Sequence, residues 1–114
     1  MKQYQTKDSG ERVDYDSGFR RDTTKNKPRY DLIPPELLYR LAMVYTRGAE
    51  KYGDENYKKA NSEEEYRRFI QSAFRHFEQW RMGQEDEDHA MQCVWNIIAY
   101  EWHVNHKDYE STLQ

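Results

Sequence analysis

Cysteine is nearly absent from this sequence, and its scarcity excludes several kinds of site. Cys93 is the only cysteine among the 114 residues. Neither an intrachain disulfide nor a paired-cysteine metal site can therefore form. Cys93 lies inside an apolar run, which favours a buried and inert thiol over a nucleophile.

Other signatures of catalysis and targeting are also missing. The chain has no Gly-x-Ser-x-Gly elbow, no glycine-rich phosphate loop and no His-Glu-x-x-His zinc motif. It shows no signal peptide and no apolar stretch long enough for a membrane span. A net charge of −3 gives no basis for nucleic-acid binding. We expect a soluble, cytoplasmic protein with no membrane or nucleic-acid partner.

Apolar residues are few, and many of them are aromatic. Hydrophobic residues make up 36% of the chain and charged residues 34%, with ten Tyr, four Phe and three Trp. Aromatic side chains each bury a large area and are common at interfaces. We expect one domain over residues 1–114, with residues 1–17 as a flexible arm. We also expect it to assemble as a homo-oligomer, a dimer or a tetramer.

Three segments combine apolar residues at helical spacing with start or stop signals. Pro35 suits the first position of a helix, and Ser62 with Glu65 forms a capping box. Gly48, inside the first segment, would allow close approach of another helix or a ligand. No alternation is long enough to predict a strand, and the polar tail from Lys107 is expected to fray. The fold is therefore predicted to be all-α, with three main helices and an N-terminal arm. The expected helices are 35–52, 62–82 and 87–106.

The third segment contains a line of polar residues. From Ala90 to Tyr100 only Gln92 and Asn96 are polar, which predicts a helix buried on nearly all sides. These two residues, with His89 and His103, fall on one line along the helix. A buried polar group costs about 1–3 kcal/mol unless it finds a partner. The line therefore predicts a polar seam inside the bundle.

An acidic run, residues 85–88, comes directly before this helix. It has a structural interpretation, since acids stabilise helix N-termini by about 0.3–1 kcal/mol each. With the other chemistries eliminated, carboxylates that bind a hard cation fit best. Glu85 and Asp88 lie near one face, and Glu50 could supply a third oxygen ligand. Mg²⁺ prefers oxygen ligands and is commonly shared with substrate phosphates, with Mn²⁺ as the alternative ion.

Two further features each have two interpretations. Residues 18–29 hold five basic side chains and the single acid Asp22, typical either of a solvated linker or of a phosphate-gripping arm. His76 lies on the edge of the second helix's apolar stripe. It could be a satisfied structural histidine or a ligand-binding one.

Five stretches of the chain form a recognisable set: 18–22, 27–35, 48–53 with Asn56, 75–77 with Trp80, and 87–89 followed by Asn96. Together they resemble the phage-type dATP/dGTP diphosphohydrolases, over about residues 18–103. That family is similar to the MazG-like all-α nucleotide pyrophosphohydrolases and to their MazZ branch. The broader MazG pattern pairs Glu-Glu-x-x-Glu with Glu-x-x-Asp on the next helix. Only the second half is present here, as Glu85 and Asp88.

The resemblance implies a reaction and a location. A purine (deoxy)nucleoside triphosphate, dGTP or dATP, would be cut between its α and β phosphates, giving the monophosphate and pyrophosphate. A MazG-like helical bundle, Mg²⁺ dependence and self-association come with the family. A phage-encoded protein of this kind would act in the host cytoplasm.

The resemblance also implies roles for particular residues. Glu85 and Asp88 become metal ligands, with Glu87 as an alternative. Glu50 would complete the set or act on the attacking water, so that Glu50 and Asp88 are the catalytic candidates. The metal candidates are Glu50, Glu85, Glu87 and Asp88.

Other residues become candidates for substrate contact. Lys51, Arg75 and His76 would face the phosphates, and the N-terminal arm would add further contacts. Within that arm Asp31 could instead orient Arg29. Tyr52 and Trp80 would stack on the purine, with core packing as the alternative and more usual role for Trp80. Asn96 would read a base edge or fix His89. The substrate-binding candidates are Arg20, Arg29, Asp31, Lys51, Tyr52, Asn56, Arg75, His76, Trp80, His89 and Asn96.

Two other functions stay open on the sequence. The missing Glu-Glu-x-x-Glu half is compatible with a bundle that binds or sequesters nucleotides without hydrolysing them. The aromatic residues and the acidic run are compatible with a helical interaction protein.

Overall fold

The computed structural model describes the backbone of residues 4–113 and the side chains of residues 4–104. The chain forms two compact units, Met1–Leu32 and Ile33–Gln114. The first unit contains strands β1 (Arg12–Asp14) and β2 (Arg20–Asp22) and a short 3-10 helix, Tyr30–Leu32. The second contains helices α1 (Pro35–Tyr52), α2 (Glu63–Arg81) and α3 (His89–Leu113), with a 3-10 turn at Asn56–Lys59. Within the described range, no helix combines the length and the hydrophobicity that a bilayer crossing requires.

The mostly helical fold is confirmed, but the expectation of no strands is wrong. Strands β1 and β2 pair antiparallel in a small hairpin, in which Arg12 faces Asp22 and Asp14 faces Arg20. Each strand has three residues, which is too short to show the alternation that identifies a strand in a sequence. Opposite charges face each other across the hairpin, and such cross-strand pairs stabilise an exposed sheet.

Polar contacts hold the rest of the first unit. Asp22 accepts hydrogen bonds from the backbone and hydroxyl of Ser9 and lies 3.5 Å from the Lys27 ammonium. The Arg12 guanidinium forms a bidentate pair with Asp8. Several basic side chains of this unit are therefore neutralised by acids of the same unit.

The predicted boundaries of α1 and the predicted start of α2 are confirmed. Pro35 is the first residue of α1, and Gly53 follows its last turn with φ of +92°. At the start of α2, Ser62 Oγ accepts a hydrogen bond from the Glu65 backbone at 3.2 Å. The Glu65 carboxylate in turn accepts one from the Asn61 backbone at 3.0 Å. Ser62 thus caps α2 as predicted, and Glu65 reaches back to the residue before the cap rather than to the cap itself.

Helix α3 differs from the prediction at both ends. It begins at His89 rather than Glu87 and continues to Leu113 rather than ending at His106. No glycine or proline follows His106, so nothing in the sequence stops the helix there. The side chains after residue 104, including those of the expected polar tail, lie outside the described residues.

The interior of the second unit is small and half polar. Helix α3 packs against both α1 and α2. Among the described residues the buried apolar side chains are Val44, Ala73 and Ala99, and the buried polar ones are His76, His89 and Asn96. Of the predicted polar seam on α3, His89 and Asn96 are buried, whereas Gln92 and His103 are half-buried. The expectation that α3 is covered on nearly all sides is wrong, because Ile97 and Ile98 lie on an uncovered face of this chain.

Three side chains of the seam, those of His89, Asn96 and His103, have hydrogen-bond partners. The Asn96 side-chain amide donates to the Gln92 carbonyl at 2.8 Å. His103 Nε2 donates to the Tyr57 carbonyl at 2.7 Å, which ties α3 to the 3-10 turn. His89 bonds through both of its ring nitrogens.

Candidate functional site

A wide cleft of about 1190 Å³ lies in the second unit and is lined by residues of α1, α2, α3 and the loop before α3. Helices α1 and α2 both pack on α3, and their facing sides leave the cleft between them. Gly48 is on its wall, and a methyl group added there would meet no atom within 4 Å. The glycine therefore borders open space rather than another helix.

Positive side chains from two helices and a turn reach this cleft. Lys51 comes from the last turn of α1, Lys59 from the 3-10 turn, and Arg68 and Arg75 from α2. Within the part of the chain whose side chains are described, none of these four cations forms an ion pair. Cations without internal partners can bind an anionic ligand without first giving up a protein contact.

Carboxylates line the same cleft. Glu50 projects from α1, and Glu85 and Glu87 come from the loop before α3. Among the described residues these three carboxylates accept no hydrogen bond and form no ion pair. They therefore remain available as oxygen ligands. One ligand atom each of Asp86, Glu87 and His89 lies within 4.8 Å of the others, but both ring nitrogens of His89 are hydrogen-bonded within the protein.

Asp88 has a different environment. Its two oxygens accept hydrogen bonds from Arg40 Nε and Nη2 at 2.9 and 2.8 Å. The Arg40 guanidinium lowers the pKa of the Asp88 carboxyl, which stays ionised. Asp88 Oδ1 also accepts the Met91 backbone N–H at 3.2 Å, so the residue caps α3 as well. Sequence reasoning missed Arg40, because its partner is 48 positions away.

Two buried histidines connect α2 to α3 at the side of the cleft. His76 and His89 are 7% and 2% exposed, and their Nδ1 atoms lie 2.9 Å apart. His89 Nε2 lies 2.7 Å from Asp86 Oδ1. Burial lowers the pKa of His76, and the bond to His89 lowers the pKa of Asp86. Since both nitrogens of His89 are engaged, this ring is not free to bind a ligand.

Aromatic rings form one wall of the cleft. Tyr45, Tyr57 and Trp95 contact one another edge to face, with ring centres 5.7 to 6.0 Å apart, and Phe69 also packs on Trp95. All four rings line the cleft. Their positions in the sequence do not mark them as site residues, because aromatic residues at such spacing are usual in a core.

The structure brings together most of the predicted site residues of the second unit. Three of them are placed elsewhere. Trp80 packs on Phe77 and is 54% exposed. His89 is buried against His76 and is not part of the cleft lining. Asn96 lines a separate apolar groove. The predicted residues that line the cleft are Glu50, Lys51, Tyr52, Asn56, Arg75, His76, Glu85, Glu87 and Asp88.

The candidates in the first unit have partners of their own. Arg20 pairs with Asp14 across the hairpin at 2.6 Å. Arg29 donates two hydrogen bonds to Asp31, at 2.9 and 2.7 Å. This pairing is the geometry that the interpretation of Asp31 as a partner of Arg29 expects. A bidentate pair of this kind fixes the plane of the guanidinium.

A second, smaller groove lies between α2 and α3. It has a volume of about 330 Å³, and its lining includes Phe74, Phe77 and Ile97, all of them exposed in this chain. Cys93 is also in this groove, where burial raises the pKa of its thiol. A protonated, half-buried thiol agrees with the expectation of an inert cysteine.

Comparison with known proteins places the chain in a family. The protein-family model described as "dATP/dGTP diphosphohydrolase, N-terminal" matches residues 15–112, which is most of the chain. Neither a curated protein nor a solved structure gave a match.

Proposed function

The chain belongs to the dATP/dGTP diphosphohydrolase N-terminal family, and from this membership we propose that it hydrolyses dATP or dGTP to the monophosphate and pyrophosphate. The single observation that supports this most is the composition of the cleft. Unpaired carboxylates from two separate segments line the same cleft as unpaired cations from two helices and a turn. A triphosphate and its metal ion need both kinds of group at once.

The carboxylates fit Mg²⁺ better than a softer metal. Glu50, Glu85 and Glu87 offer hard oxygen ligands without internal partners. Asp88 already accepts three hydrogen bonds, from Arg40 and from the Met91 backbone, and therefore has fewer oxygen lone pairs left for a metal ion than the other three carboxylates. A bound Mg²⁺ would neutralise phosphate charge and lower the pKa of a coordinated water.

The cations of the cleft would bind the phosphates. Lys51 and Arg75 reach the cleft from different helices and could therefore contact different phosphates of one chain. Arg75 can donate in a planar fork, whereas Lys51 acts as a point charge. In the proposed reaction these side chains stabilise the negative charge that develops on the phosphoryl oxygens.

The aromatic wall would bind the base. Tyr45, Tyr57 and Trp95 line the cleft and pack edge to face on one another, and Tyr52 and Asn56 lie on the same lining. A purine is flat and aromatic, so this wall suits it. Arg20 and Arg29 of the first unit remain candidates for further substrate contacts. Asp31 would hold Arg29 in a fixed plane for this purpose.

Self-association is part of the proposal. The described side chains include only three buried apolar residues, which is few for a stable helical domain. Exposed apolar residues on α2 and α3 surround the smaller groove. Burying this face against a second copy would supply the missing core.

Pyrophosphate release tests the proposed reaction. The purified protein is incubated with each of the four dNTPs and Mg²⁺, and with EDTA as a metal-free control. We expect release from dATP or dGTP, and no release in EDTA. Glu85→Gln should reduce the rate strongly, because it removes a proposed ligand without changing the volume of the side chain.

Glu78→Gln is the matched control for Glu85→Gln. Glu78 pairs with Arg81 on the surface of α2, away from the lining of the cleft, and its variant should keep the wild-type rate. If no triphosphate is hydrolysed but one of them raises the melting temperature, the protein binds nucleotides without cleaving them. If neither occurs, the bundle serves another purpose and the proposal is wrong.

A further inference from the structure

We propose that the 3-10 turn Asn56–Lys59 recognises the base, with Lys59 donating to N7 of a purine and Asn56 contacting its 6-substituent. His103, which holds this turn against α3, would be a positioning residue. This recognition rests on the proposed binding of purine nucleotides in the cleft, but it does not require their hydrolysis.

The turn is packed against the aromatic wall of the cleft. The ring of Tyr57 contacts that of Tyr45 on α1, with ring centres 6.0 Å apart. It also contacts two rings of α3, Trp95 at 5.7 Å and Trp102 at 6.1 Å between ring centres. The turn therefore lies beside the surface on which a flat base would bind.

His103 fastens the backbone of the turn. Its Nε2 lies 2.7 Å from the Tyr57 carbonyl oxygen, and since a carbonyl only accepts, His103 donates whether its ring is neutral or charged. The imidazole is itself stacked on Tyr66 and Phe69 of α2, with ring centres 4.8 and 5.9 Å away. All three helices thus contribute to the position of the turn.

The turn begins at a residue with a strained backbone. Glu55 has φ of +57°, a left-handed conformation that residues other than glycine adopt at a cost. Lys58 donates to Glu55 twice, from its backbone to the carbonyl at 3.0 Å and from its ammonium to the carboxylate at 2.9 Å. The same ammonium lies 5.2 Å from the centre of the Trp102 ring. These contacts hold the strained turn in one shape.

Asn56 and Lys59 project from the same side of the turn. A 3-10 helix has about three residues per turn, so side chains at positions i and i+3 eclipse each other. Both line the cleft, whereas Lys58 is not part of its lining. Within the part of the chain whose side chains are described, neither of the two side chains forms a hydrogen bond or an ion pair. They can therefore contact one ligand together.

The turn lies away from the carboxylates of the loop before α3. Trp95 and His103 follow Asp88 by seven and fifteen residues, which correspond to about 10 and 22 Å along a helix. Tyr57 packs on the first of these residues and accepts a hydrogen bond from the second. A nucleotide whose metal-bound phosphates lie at that loop would therefore extend its base towards the turn.

The two side chains match one edge of a purine. Adenine and guanine both carry an acceptor at N7, beside an amino group in adenine and a carbonyl oxygen in guanine. The Lys59 ammonium only donates, and it can pair with N7 of both bases. The Asn56 amide accepts and donates, so it can pair with either 6-substituent. Pyrimidines have no N7, and the turn would therefore select against dCTP and dTTP.

Replacing N7 by carbon tests the contact without turnover. Isothermal titration calorimetry on the whole 114-residue chain gives Kd for dGMP, the proposed product, and for 7-deaza-dGMP. We expect the wild type to bind the analogue about 10-fold more weakly, since it loses a hydrogen bond to a charged donor. Lys59→Met should reduce this difference to less than about 2-fold. Lys59→Arg, which can donate, should keep most of it.

Lys58→Met is the matched control. It removes the same charge from the neighbouring position, on a side of the turn that does not line the cleft, and should keep the wild-type difference. Inorganic tripolyphosphate with Mg²⁺ is a second probe, because it has no base. Its affinity should be the same for the wild type and Lys59→Met. A large loss of tripolyphosphate affinity in that variant would show that Lys59 binds phosphate, which overturns its assignment to the base.

Two further positions test the details. His103→Leu removes the donor, so it should abolish most of the difference between the two nucleotides and accelerate amide hydrogen exchange in residues 55–60. His103→Gln keeps an N–H donor and should restore both properties. Asn56→Asp can accept but cannot donate, and should weaken the binding of dGMP more than that of dAMP.

The outcomes separate base recognition from the proposed hydrolysis. A wild type that binds dGMP and 7-deaza-dGMP equally, or that binds no purine nucleotide, overturns the inference. A difference that persists in Lys59→Met overturns the assignment to this turn. If the difference behaves as expected but dGTP releases no pyrophosphate, the proposed hydrolysis fails and the recognition of the base stands.

Discussion

At the scale of single residues, Asp88 has two partners in the structure. It pairs with Arg40 on α1 and caps the first turn of α3. The sequence also makes Asp88 a candidate metal ligand. A loss of activity in a simple alanine variant would therefore mix a structural effect with a catalytic one. The structural part has to be measured first.

We expect Asp88→Asn to destabilise the fold by roughly 0.5–1 kcal/mol, because it loses the ion pair but keeps an oxygen for the cap. The value is small because Arg40 is nearly half exposed and its charge is screened by solvent. Asp88→Ala should cost about 1 kcal/mol more, since the cap is lost as well. Urea denaturation of both variants measures the difference. Equal stability of the two would show that the cap contributes nothing.

The pH dependence follows from the same pair. The Arg40 guanidinium lowers the pKa of Asp88 in the folded state. The pair therefore contributes stability above the unfolded-state pKa of about 3.9 and loses it as pH falls through the folded-state value. The stability difference between wild type and Asp88→Asn should accordingly shrink below about pH 4. A difference that stays constant to lower pH would contradict the ion pair.

At the scale of elements, α1 combines predictable boundaries with an unusual glycine. Its first residue and its terminator match the sequence signals, because proline at the start and glycine after the end act locally. Gly48 does not follow that logic. It lies inside the helix with ordinary backbone angles, and no side chain approaches the place where a methyl group would be.

We expect Gly48→Ala to stabilise the protein by about 1 kcal/mol, since alanine loses less entropy than glycine in a helix. Gly53→Ala is the matched control. Gly53 has φ of +92°, which an alanine adopts only with strain, so that variant should be less stable than wild type. Thermal melts monitored by circular dichroism compare the three proteins. If Gly48→Ala is stable but inactive, a ligand approaches the backbone closely at this position of the cleft.

At the scale of the whole molecule, the distribution of apolar side chains is unusual. The described buried apolar residues are small, whereas several large ones on α2 and α3 are exposed. Phe74 is 69% exposed and borders the smaller groove. A monomer rarely keeps such a contiguous patch open to water. This supports the expected self-association, with the α2–α3 face as the contact.

We expect Phe74→Glu to shift the protein towards the monomer, because a carboxylate in an apolar interface lacks a partner. Light scattering coupled to size-exclusion chromatography gives the mass. Tyr39→Glu is the control, since Tyr39 is equally exposed on α1 and lines the cleft rather than the groove. A wild type that is monomeric at micromolar concentration, or a variant of unchanged mass, would rule out this face.

The sequence by itself determined the helices and the polar line on α3, because both arise from local rules. Caps, terminators and residue spacing act within a few positions, so Pro35, Gly53 and Ser62 could be interpreted without knowledge of the rest of the chain. The same locality explains the error at the end of α3. There the change to polar composition predicts the end of the helix, although no residue after His106 breaks a helix.

Only the tertiary structure decided which charged and polar groups are free. Arg40 and Asp88 are 48 positions apart, and His76 and His89 belong to different helices, so no local spacing could pair them. The β1–β2 hairpin likewise depends on charges that meet only when the chain turns back. A side chain's availability depends on the partner that folding brings to it, and that partner is set by how helices pack rather than by the order of residues.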